Sequence, residues 1–430
     1  MRTFKAYFFS NSFESRFGYF PEKTQSKLYW FFFFLGFPAL EILGNSITFY
    51  LFILIILEVK NFGKFNFLGK KIFIILLISI FISTIFAPFL ERSPGIISKF
   101  TLLIQYSYWI LLVFFLIQYK NKINIVQLSK YLTYSIAISS FFYFVFPLEI
   151  ESSLISIKLG QERNAFVFNL LCVAPLTFFY LREKGGILLC LITMLIYIIV
   201  MMSTNGRSGS ILILFEMSVV LSMLTQRMLS IIRFFTLILL LTFTATESDI
   251  FQPVLFQLAE NVKEINPRLS GFILEEGDGS LERDKSWGQR KLMIEKGFEI
   301  FKEYPVFGIG ANNFKYYDAE LSAHASSQFY YLVQTKDWYN GRSAHNSYIQ
   351  ILAEFGIIGL SLFILILAFP LFYFVKKFIF SQLTFNDIAI VSLLSMTVYF
   401  YAISSFTGAI PWVIIGLSWY QIHQNTKIRL

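Results

Sequence analysis

The chain has 430 residues, of which 56% are hydrophobic, 19% are aromatic and 15% are charged, and 53 of them are phenylalanine. Soluble domains carry about 25% charged residues, so this composition excludes an ordinary soluble enzyme and indicates a polytopic membrane protein. The formal net charge of +9 is interpreted as membrane-anchoring charge, and we expect no nucleic-acid partner.

Apolar runs long enough to cross about 30 Å of hydrocarbon predict an all-α fold with about twelve transmembrane helices. Residues 1–246 contain the first nine helices, and residues 346–430 contain the last three. Residues 28–57 form one nearly continuous apolar run that Pro38 and Glu41 interrupt, so either one or two spans fit there. A single span would place the amino terminus outside. The predicted spans are 28–40, 44–58, 71–88, 100–118, 130–147, 164–181, 186–203, 208–224, 231–246, 346–374, 386–404 and 408–421.

The distribution of basic residues predicts the orientation of the helices. With twelve spans and both termini inside, the inner segments hold most of the lysines and arginines. The positive-inside rule therefore favours cytoplasmic termini. The basic residues of the short outer loops are Arg92, Lys99, Lys158, Arg163 and Arg207.

Two of these arginines begin predicted spans on the outer side. Arg163 lies in Gln-Glu-Arg-Asn-Ala-Phe at the start of the sixth span, and Arg207 lies in Thr-Asn-Gly-Arg-Ser-Gly-Ser at the start of the eighth. Each alone is compatible with simple interfacial anchoring, because an arginine at the boundary costs less than the roughly 2.5–3.5 kcal/mol of a bilayer-centre position. Both guanidinium groups would also face the same compartment.

Residues 247–345 break the membrane pattern, because they are polar and rich in turn residues. They are predicted to form one large loop outside the membrane. Within this loop, residues 288–303 have the periodicity of an amphipathic helix that lies on or near the membrane surface. Its predicted apolar face consists of Ile294, Gly297, Phe298 and Phe301.

Arg290 begins this apolar face. Its guanidinium either points back toward the membrane mouth or anchors the helix by snorkelling. Together with Arg163 and Arg207 it would make three guanidinium groups on one side of the membrane. Three convergent arginines suit a pyrophosphate, because their planar forks bind phosphate oxygens bidentately. The sequence leaves their convergence open.

A histidine precedes the long apolar helix of the tenth span. His345 is one of only three histidines in the chain. Asn346, Gln350 and Glu354 follow at a spacing of four, so they form a polar stripe that we expect to line a wet cavity. A neutral imidazole at this place can accept a proton from an attacking hydroxyl, which makes His345 a candidate general base. The alternative is a polar residue at the water boundary, with Asn346 or Ser347 as the helix cap.

Metal and cofactor chemistry has little support in the sequence. There is no cluster of metal-ligating histidines and no phosphate loop of the nucleotide-hydrolase type. The acidic turn at residues 275–279 could hold a cation, although a solvated loop tip is the more ordinary interpretation. We therefore expect neither a metal nor a cofactor.

Six short motifs occur in a fixed order along the chain: Arg-Ser-Gly at 207–209, Trp-Gly-Gln-Arg at 287–290, Tyr-Pro-Val-Phe-Gly-Ile-Gly at 304–310, Asn-Phe at 313–314, His-Asn-Ser-Tyr at 345–348 and Glu-Phe-Gly-Ile-Ile-Gly-Leu at 354–360. This ordered set resembles the O-antigen ligase and O-antigen polymerase family of bacterial membrane glycosyltransferases. The resemblance spans about residues 205–360. Arg163 is a departure, because the family has a glycine shortly after the equivalent arginine and this chain has Ala165 in that region.

The resemblance implies a C-type membrane glycosyltransferase fold in the bacterial inner membrane, with the active site and the large loop on the periplasmic side. It implies transfer of a glycan from undecaprenyl pyrophosphate to an acceptor sugar hydroxyl by inverting, metal-independent chemistry. His345 would be the catalytic base. Arg207, Arg290 and Arg163 would bind the donor pyrophosphate.

Three functions remain open at this point. A ligase uses the lipid A core as acceptor, and we favour it because the glycine-rich motifs around Arg290 and His345 are well kept. A polymerase uses another lipid-linked repeat unit. A lipid-linked glycan transporter or flippase is the alternative from another class. It predicts charged residues at the membrane midplane and inverted halves, whereas the charge in this chain is concentrated at one face.

Overall fold

The computed structural model describes residues 29–33, 40–42, 45–46, 69–88, 96–118, 124–144, 149–151, 155–158, 163–203, 207–225, 285–317, 343–380, 387–401, 403–404 and 408–427. Helices dominate these residues, as the sequence predicts for a helical membrane protein. Residues 29–33 are helical. The helices that follow in this part of the chain are α1 (Lys70–Ile85), α2 (Ile96–Gln118), α3 (Ile125–Phe144), α4 (Arg163–Ser203), α5 (Arg207–Thr225), α6 (Lys285–Glu303), α7 (Ser347–Phe380), α8 (Ile388–Tyr399) and α9 (Ala409–Lys427).

A small antiparallel sheet departs from the all-α prediction. Its strands, of two to four residues each, are ordered β2-β1-β4-β3. The pairing joins residues 40–46, near the first predicted spans, to residues 149–158, which follow the fifth. Both segments were predicted to contain outer loops, so the sheet is consistent with a connection between two loops on one side. The strands are β1 (Leu40–Ile42), β2 (Asn45–Ser46), β3 (Glu149–Glu151) and β4 (Ile155–Lys158).

The helices α1, α2, α3, α5, α8 and α9 coincide with predicted spans. In the part of the chain that the structure describes, two helices are long and apolar enough to cross a membrane, judged by length and composition: Phe166–Met201 in α4 and Ser347–Lys377 in α7. Several large apolar side chains on the second half of α4 are exposed, including Leu188, Leu195 and Ile199. A lipid environment accounts for such exposure, so the protein is an integral membrane protein. The predicted span 231–246 and most of 44–58 lie outside the described residues.

Helix α4 turns back on itself at Gly186, where φ is 78° and ψ is −175°. Thr177 and Tyr197 are 20 residues apart, which corresponds to about 30 Å along a straight helix. The Tyr197 hydroxyl nevertheless donates a hydrogen bond of 3.2 Å to Thr177 Oγ1, and the rings of Tyr197 and Phe178 are 5.2 Å apart. The two halves therefore run antiparallel and correspond to the sixth and seventh predicted spans.

Helix α7 also breaks, at Gly356, where φ is 64° and ψ is −166°. The sequence predicted one continuous span over 346–374, and that prediction is wrong here. The ring centroids of Tyr348 and Phe363 are 6.3 Å apart, although fifteen residues of straight helix would separate them by about 22 Å. The short arm (residues 347–355) therefore folds back toward the long arm (residues 357–380).

Helix α9 packs in the core of the bundle. The Trp419 ring makes an edge contact with Phe73 of α1 at 5.5 Å and stacks on Phe369 of α7 at 4.9 Å. At Gly416 the helix approaches α2 so closely that a Cβ would lie 2.7 Å from Leu116 Cδ1. This packing holds the long arm of α7 against α1 and α2. It therefore also fixes the position of the break at Gly356, from which the short arm extends.

Candidate active site

Helix α6 and the short arm of α7 form a second, smaller core. Gly297 lies where they cross, because a Cβ at this position would overlap the side chain of Ile349. Phe298 is 46% exposed, so the face of α6 that packs on the protein is rotated from the predicted one. The buried members of this core are Leu292, Met293, Ile300, Ile309, Phe314, Tyr317, Ala344 and Ala353.

His345 stands at the start of the short arm in an unusual backbone conformation. Its φ is +50°, and Asn312 is the other non-glycine residue with positive φ in the described part of the chain. Histidine and asparagine adopt this left-handed region more often than most residues, but at a cost. Strained backbone of this kind clusters at functional sites. The imidazole is half-buried, and Ala344 before it is fully buried.

The residues after His345 anchor it to the membrane bundle. The Ser347 N–H donates to the Phe400 carbonyl at 2.8 Å, and Ser347 Oγ donates to the Ile403 carbonyl at 2.6 Å. Asn346 Oδ1 accepts hydrogen bonds from the N–H groups of Tyr348 and Ile349 at 3.0 and 3.1 Å. Asn346 is therefore the helix cap, because it satisfies two amides that the first turn leaves free.

Glu354 ends the predicted polar stripe, and it is 1% exposed. Its carboxylate accepts the Gln350 Nε2 hydrogen bond at 3.1 Å and further hydrogen bonds from the backbone N–H groups of Asn312 and Phe314. The stripe thus joins the short arm to the loop that contains Asn312. A role of Asn346, Gln350 and Glu354 in lining a cavity stays a prediction.

Residues 304–310 close the break in α7. The Ile309 N–H donates to the Ala353 carbonyl at 3.0 Å, the Gly310 N–H donates to the Glu354 carbonyl at 2.8 Å, and the Ile357 N–H donates to the Pro305 carbonyl at 2.9 Å. The groups that a helix end leaves unsatisfied are therefore paired. Gly356 is required at this contact, because a Cβ there would overlap the Val306 carbonyl.

Helix α1 supports this junction from the membrane side. Ser83 Oγ donates to the Glu354 carbonyl at 2.6 Å, and the Ala311 N–H donates to Thr84 Oγ1 at 3.3 Å. Both α1 residues are buried. The loop at 304–314, the short arm and the end of α1 therefore form one hydrogen-bonded unit next to His345.

Arg290 lies in α6 and is half-buried. Leu292 and Met293, which follow it closely, belong to the same buried core as Ala344, the neighbour of His345. The backbone of α6 near Arg290 is therefore part of the unit that holds His345. The direction of the Arg290 guanidinium toward a ligand stays a prediction.

Arg163 and Arg207 are the first residues of α4 and α5. Phe168, which follows Arg163 by little more than one turn, has its ring 5.6 Å from that of Phe400, whose carbonyl accepts the Ser347 N–H. The start of α4 and the start of α7 therefore share one end of the bundle. The side chains of Arg163 and Arg207 lie outside the described residues, so their approach to His345 stays a prediction.

Tyr317 lies beyond the short 3₁₀ turn Phe314–Tyr316 and fixes the other end of α6. Burial, and then its hydrogen bond to the Glu303 carboxylate, raise the pKa of the Tyr317 hydroxyl above its usual value. The phenol is therefore neutral at pH 7 and donates to Glu303, the last residue of α6.

Two buried charged residues, Lys296 and Glu216, were not predicted from the sequence. Lys296 in α6 is 0% exposed, and its Nζ lies 5.2 Å from the ring centroid of Phe314, a cation–π distance. Glu216 in α5 is also 0% exposed. Glu216 had a visible signal, because it is an isolated carboxylate in the apolar run of residues 211–220. Lys296 had none, because a lysine is ordinary in an amphipathic helix.

Among the described residues, no group of three or more histidine, cysteine, aspartate or glutamate side chains could hold a metal ion. A family model described as O-antigen ligase matches residues 189–364. The matched segment contains Arg207, Arg290, His345 and the break at Gly356, whereas Arg163 precedes it. No curated protein matches the chain.

Proposed function

The chain belongs to the O-antigen ligase and O-antigen polymerase family, and we propose that it transfers a glycan from undecaprenyl pyrophosphate to an acceptor sugar hydroxyl at the periplasmic face of the inner membrane. The observation that supports this most strongly is the setting of His345. Its left-handed backbone is held between buried Ala344 and the anchored Ser347, and its side chain is half-buried. A histidine with a fixed backbone and a partly exposed imidazole suits proton abstraction from an acceptor hydroxyl.

The proposed reaction is one direct displacement. The acceptor oxygen attacks the anomeric carbon of the donor, the bond from that carbon to the pyrophosphate oxygen breaks, and the acceptor proton passes to His345. The pyrophosphate leaves as an anion. A single attack from the opposite face inverts the configuration at the anomeric carbon.

The leaving group would be stabilised by arginine. Arg290, Arg207 and Arg163 carry fixed positive charge, and planar guanidinium groups bind phosphate oxygens bidentately. Stabilising the charge that develops on the pyrophosphate lowers the barrier without a proton donor. The proposed mechanism therefore uses arginine charge in the role that a divalent metal has in other glycosyltransferases.

An O-antigen ligase and an O-antigen polymerase differ in the acceptor that they use. We favour the lipid A core, which makes the protein an O-antigen ligase. Polymerisation of lipid-linked repeat units uses the same base and the same donor chemistry and is the alternative.

Transport of a lipid-linked glycan is the second candidate function, and one observation favours it. Glu216 is an ionisable residue buried near the middle of α5, and such residues are typical of ion-coupled transporters. Transport does not explain the strained, anchored histidine, so we place it second.

The test is the surface lipopolysaccharide ladder of a deletion strain that carries wild-type protein, His345→Ala or His324→Ala. His324→Ala is the control, because it removes another histidine of the predicted loop to which we assign no catalytic role. We expect His345→Ala to abolish transfer while donor binding survives. Polymer stranded on the carrier lipid, with bare core, identifies a ligase, and core capped by one repeat unit identifies a polymerase. A wild-type ladder from His345→Ala at equal protein level would refute the assignment of the base.

A further inference from the structure

Glu216 lies in the membrane part of the bundle and is unused by the proposed transfer reaction. It is the tenth residue of α5, which places it about 14 Å along the helix from Arg207, close to half the thickness of a hydrocarbon core of about 30 Å. Cys172 and Tyr197 of α4 lie close enough to interact electrostatically with it, and both belong to the candidate span Phe166–Met201. Glu216 therefore lies beside both antiparallel halves of α4, within the predicted membrane region.

The described residues provide few hydrogen bonds that would offset the burial of this carboxyl group. Neither Oε1 nor Oε2 of Glu216 has a hydrogen-bond partner of good geometry among the described residues. The Ser395 side chain of α8 lies beside the carboxyl, and Ser392 lies one turn earlier on the same helix. Both serines are 0% exposed, and their hydroxyl oxygens also lack a partner in the described part of the chain.

Among the described residues, Glu216 interacts with the thiol of Cys172, the phenol of Tyr197 and the hydroxyl of Ser395. None of them is a cation. An unpaired carboxylate in a low-dielectric interior is strongly disfavoured, so a buried carboxyl of this kind is neutralised in practice. No lysine or arginine of the described part of the chain is among these neighbours, so we infer that the neutralising cation comes from the solvent.

We propose that Glu216 and Ser395 form a binding site for one monovalent cation, a proton or a sodium ion, inside the membrane bundle. Carboxylate and hydroxyl oxygens are ligands of the hard type that such cations prefer. The site joins α5, which begins with Arg207, to α8, which leads into Phe400 and its hydrogen bond to Ser347. This inference goes beyond glycosyl transfer and does not depend on it.

The experiment is carbodiimide labelling of the purified full-length chain in lipid nanodiscs. N,N′-dicyclohexylcarbodiimide adds to a protonated carboxyl: the carboxyl oxygen bonds to the carbodiimide carbon, the acid proton moves to nitrogen, and rearrangement gives a stable N-acylurea. No atom leaves, so the α5 peptide gains the mass of the whole reagent. We expect a single adduct at Glu216 in sodium-free potassium buffer at acidic pH, and none in Glu216→Gln.

Sodium distinguishes the two cations. Suppression of the label by sodium, but not by equal potassium, assigns a sodium site, and labelling that ignores sodium assigns a proton site. Both outcomes support the proposal. Absence of an adduct at Glu216 in sodium-free buffer at both acidic and neutral pH overturns it.

A second measurement does not depend on access of the reagent. The thermal unfolding midpoint of wild-type protein should shift with pH or with sodium, and Glu216→Gln should lose that shift while it retains a cooperative transition. Glu216→Leu serves if the glutamine variant does not fold. The same response in wild type and in a folded Glu216 variant contradicts a cation site.

Discussion

At the residue scale, Glu354 shows how one side chain holds the site together. Its buried carboxylate accepts hydrogen bonds from the backbone N–H groups of Asn312 and Phe314. We expect Glu354→Leu to lower stability by about 1–3 kcal/mol for each amide left without an acceptor, and to reduce transfer because His345 loses its support. Thermal unfolding and transfer rate measured on the same preparation test this.

The control for Glu354 is Gln350→Leu. This variant removes one side-chain hydrogen bond, so we expect a loss of only about 0.5–1.5 kcal/mol. Equal destabilisation by the two variants would show that the backbone amides do not depend on Glu354.

Arg290 carries the second prediction at this scale. We expect Arg290→Ala to weaken donor binding by about 1.5–3 kcal/mol, the value of hydrogen bonds to a charged group, which is roughly tenfold to a hundredfold. Arg290→Lys should restore only part, because an ammonium lacks the bidentate fork. The apparent KM for the donor is the measurement.

Lys302→Ala is the matched control, because Lys302 is an exposed cation on the same helix. Its apparent KM for the donor should equal that of wild type. An equal rise in both variants would indicate a general charge effect of α6 rather than a pyrophosphate site.

At the scale of elements, the two glycine breaks differ in their surroundings. A Cβ at Gly356 would overlap the Val306 carbonyl, whereas a Cβ at Gly186 would meet nothing within 4 Å. Both glycines have positive φ with ψ of −175° and −166°, a backbone region that is essentially restricted to glycine. We therefore expect Gly186→Ala to cost only the backbone strain of about 1–3 kcal/mol, and Gly356→Ala to cost more and to abolish transfer.

Unfolding midpoints and transfer rates of these two variants form a matched pair. Wild-type activity in Gly356→Ala would contradict the close fit between residues 304–310 and the short arm. Loss of activity in Gly186→Ala, at normal stability, would contradict the prediction that this turn is not needed for transfer.

At the scale of the whole molecule, orientation is open to a direct test. Lys302 and Lys376 are both exposed. Lys302 lies in α6, which packs against the short arm of α7, whereas Lys376 lies near the far end of the long arm. Cys172 and Cys190 are 0% exposed, so native thiols should give little background. In intact cells we expect a membrane-impermeant maleimide to label Lys302→Cys, and to label Lys376→Cys only after the inner membrane is permeabilised. The reverse pattern would invert the proposed topology.

The sequence predicted the helices of the described residues well, because burial in lipid requires long apolar runs. It also separated the two halves of α4, because Arg182, Glu183 and Lys184 interrupt the run. It did not separate the arms of α7, because Gly356 lies between apolar residues and composition carries no information on φ. The sheet was missed for a similar reason, since β1 and β2 lie within an apolar run.

The candidate site divides in the same manner. The spacing of Asn346, Gln350 and Glu354 predicted one polar face that lines a cavity. The hydrogen bond between Gln350 and Glu354 places these two side chains together, and the cavity stays a prediction. The Glu354 carboxylate accepts from the backbone amides of Asn312 and Phe314, and the Glu354 backbone carbonyl accepts from Ser83 of α1. These partners are distant in sequence and carry no local signal. Long-range partners of this kind require the fold.

The break at Gly356 has one more consequence, which concerns register. The nine residues of the short arm make a rigid spacer of about 14 Å between the break and the turn that bears His345. Removing one residue from this spacer would shorten it by about 1.5 Å and rotate the histidine by about 100° around the axis. Reaction geometry at His345 is therefore set by the number of residues in the spacer, so insertions and deletions there should be far less tolerated than substitutions on its surface.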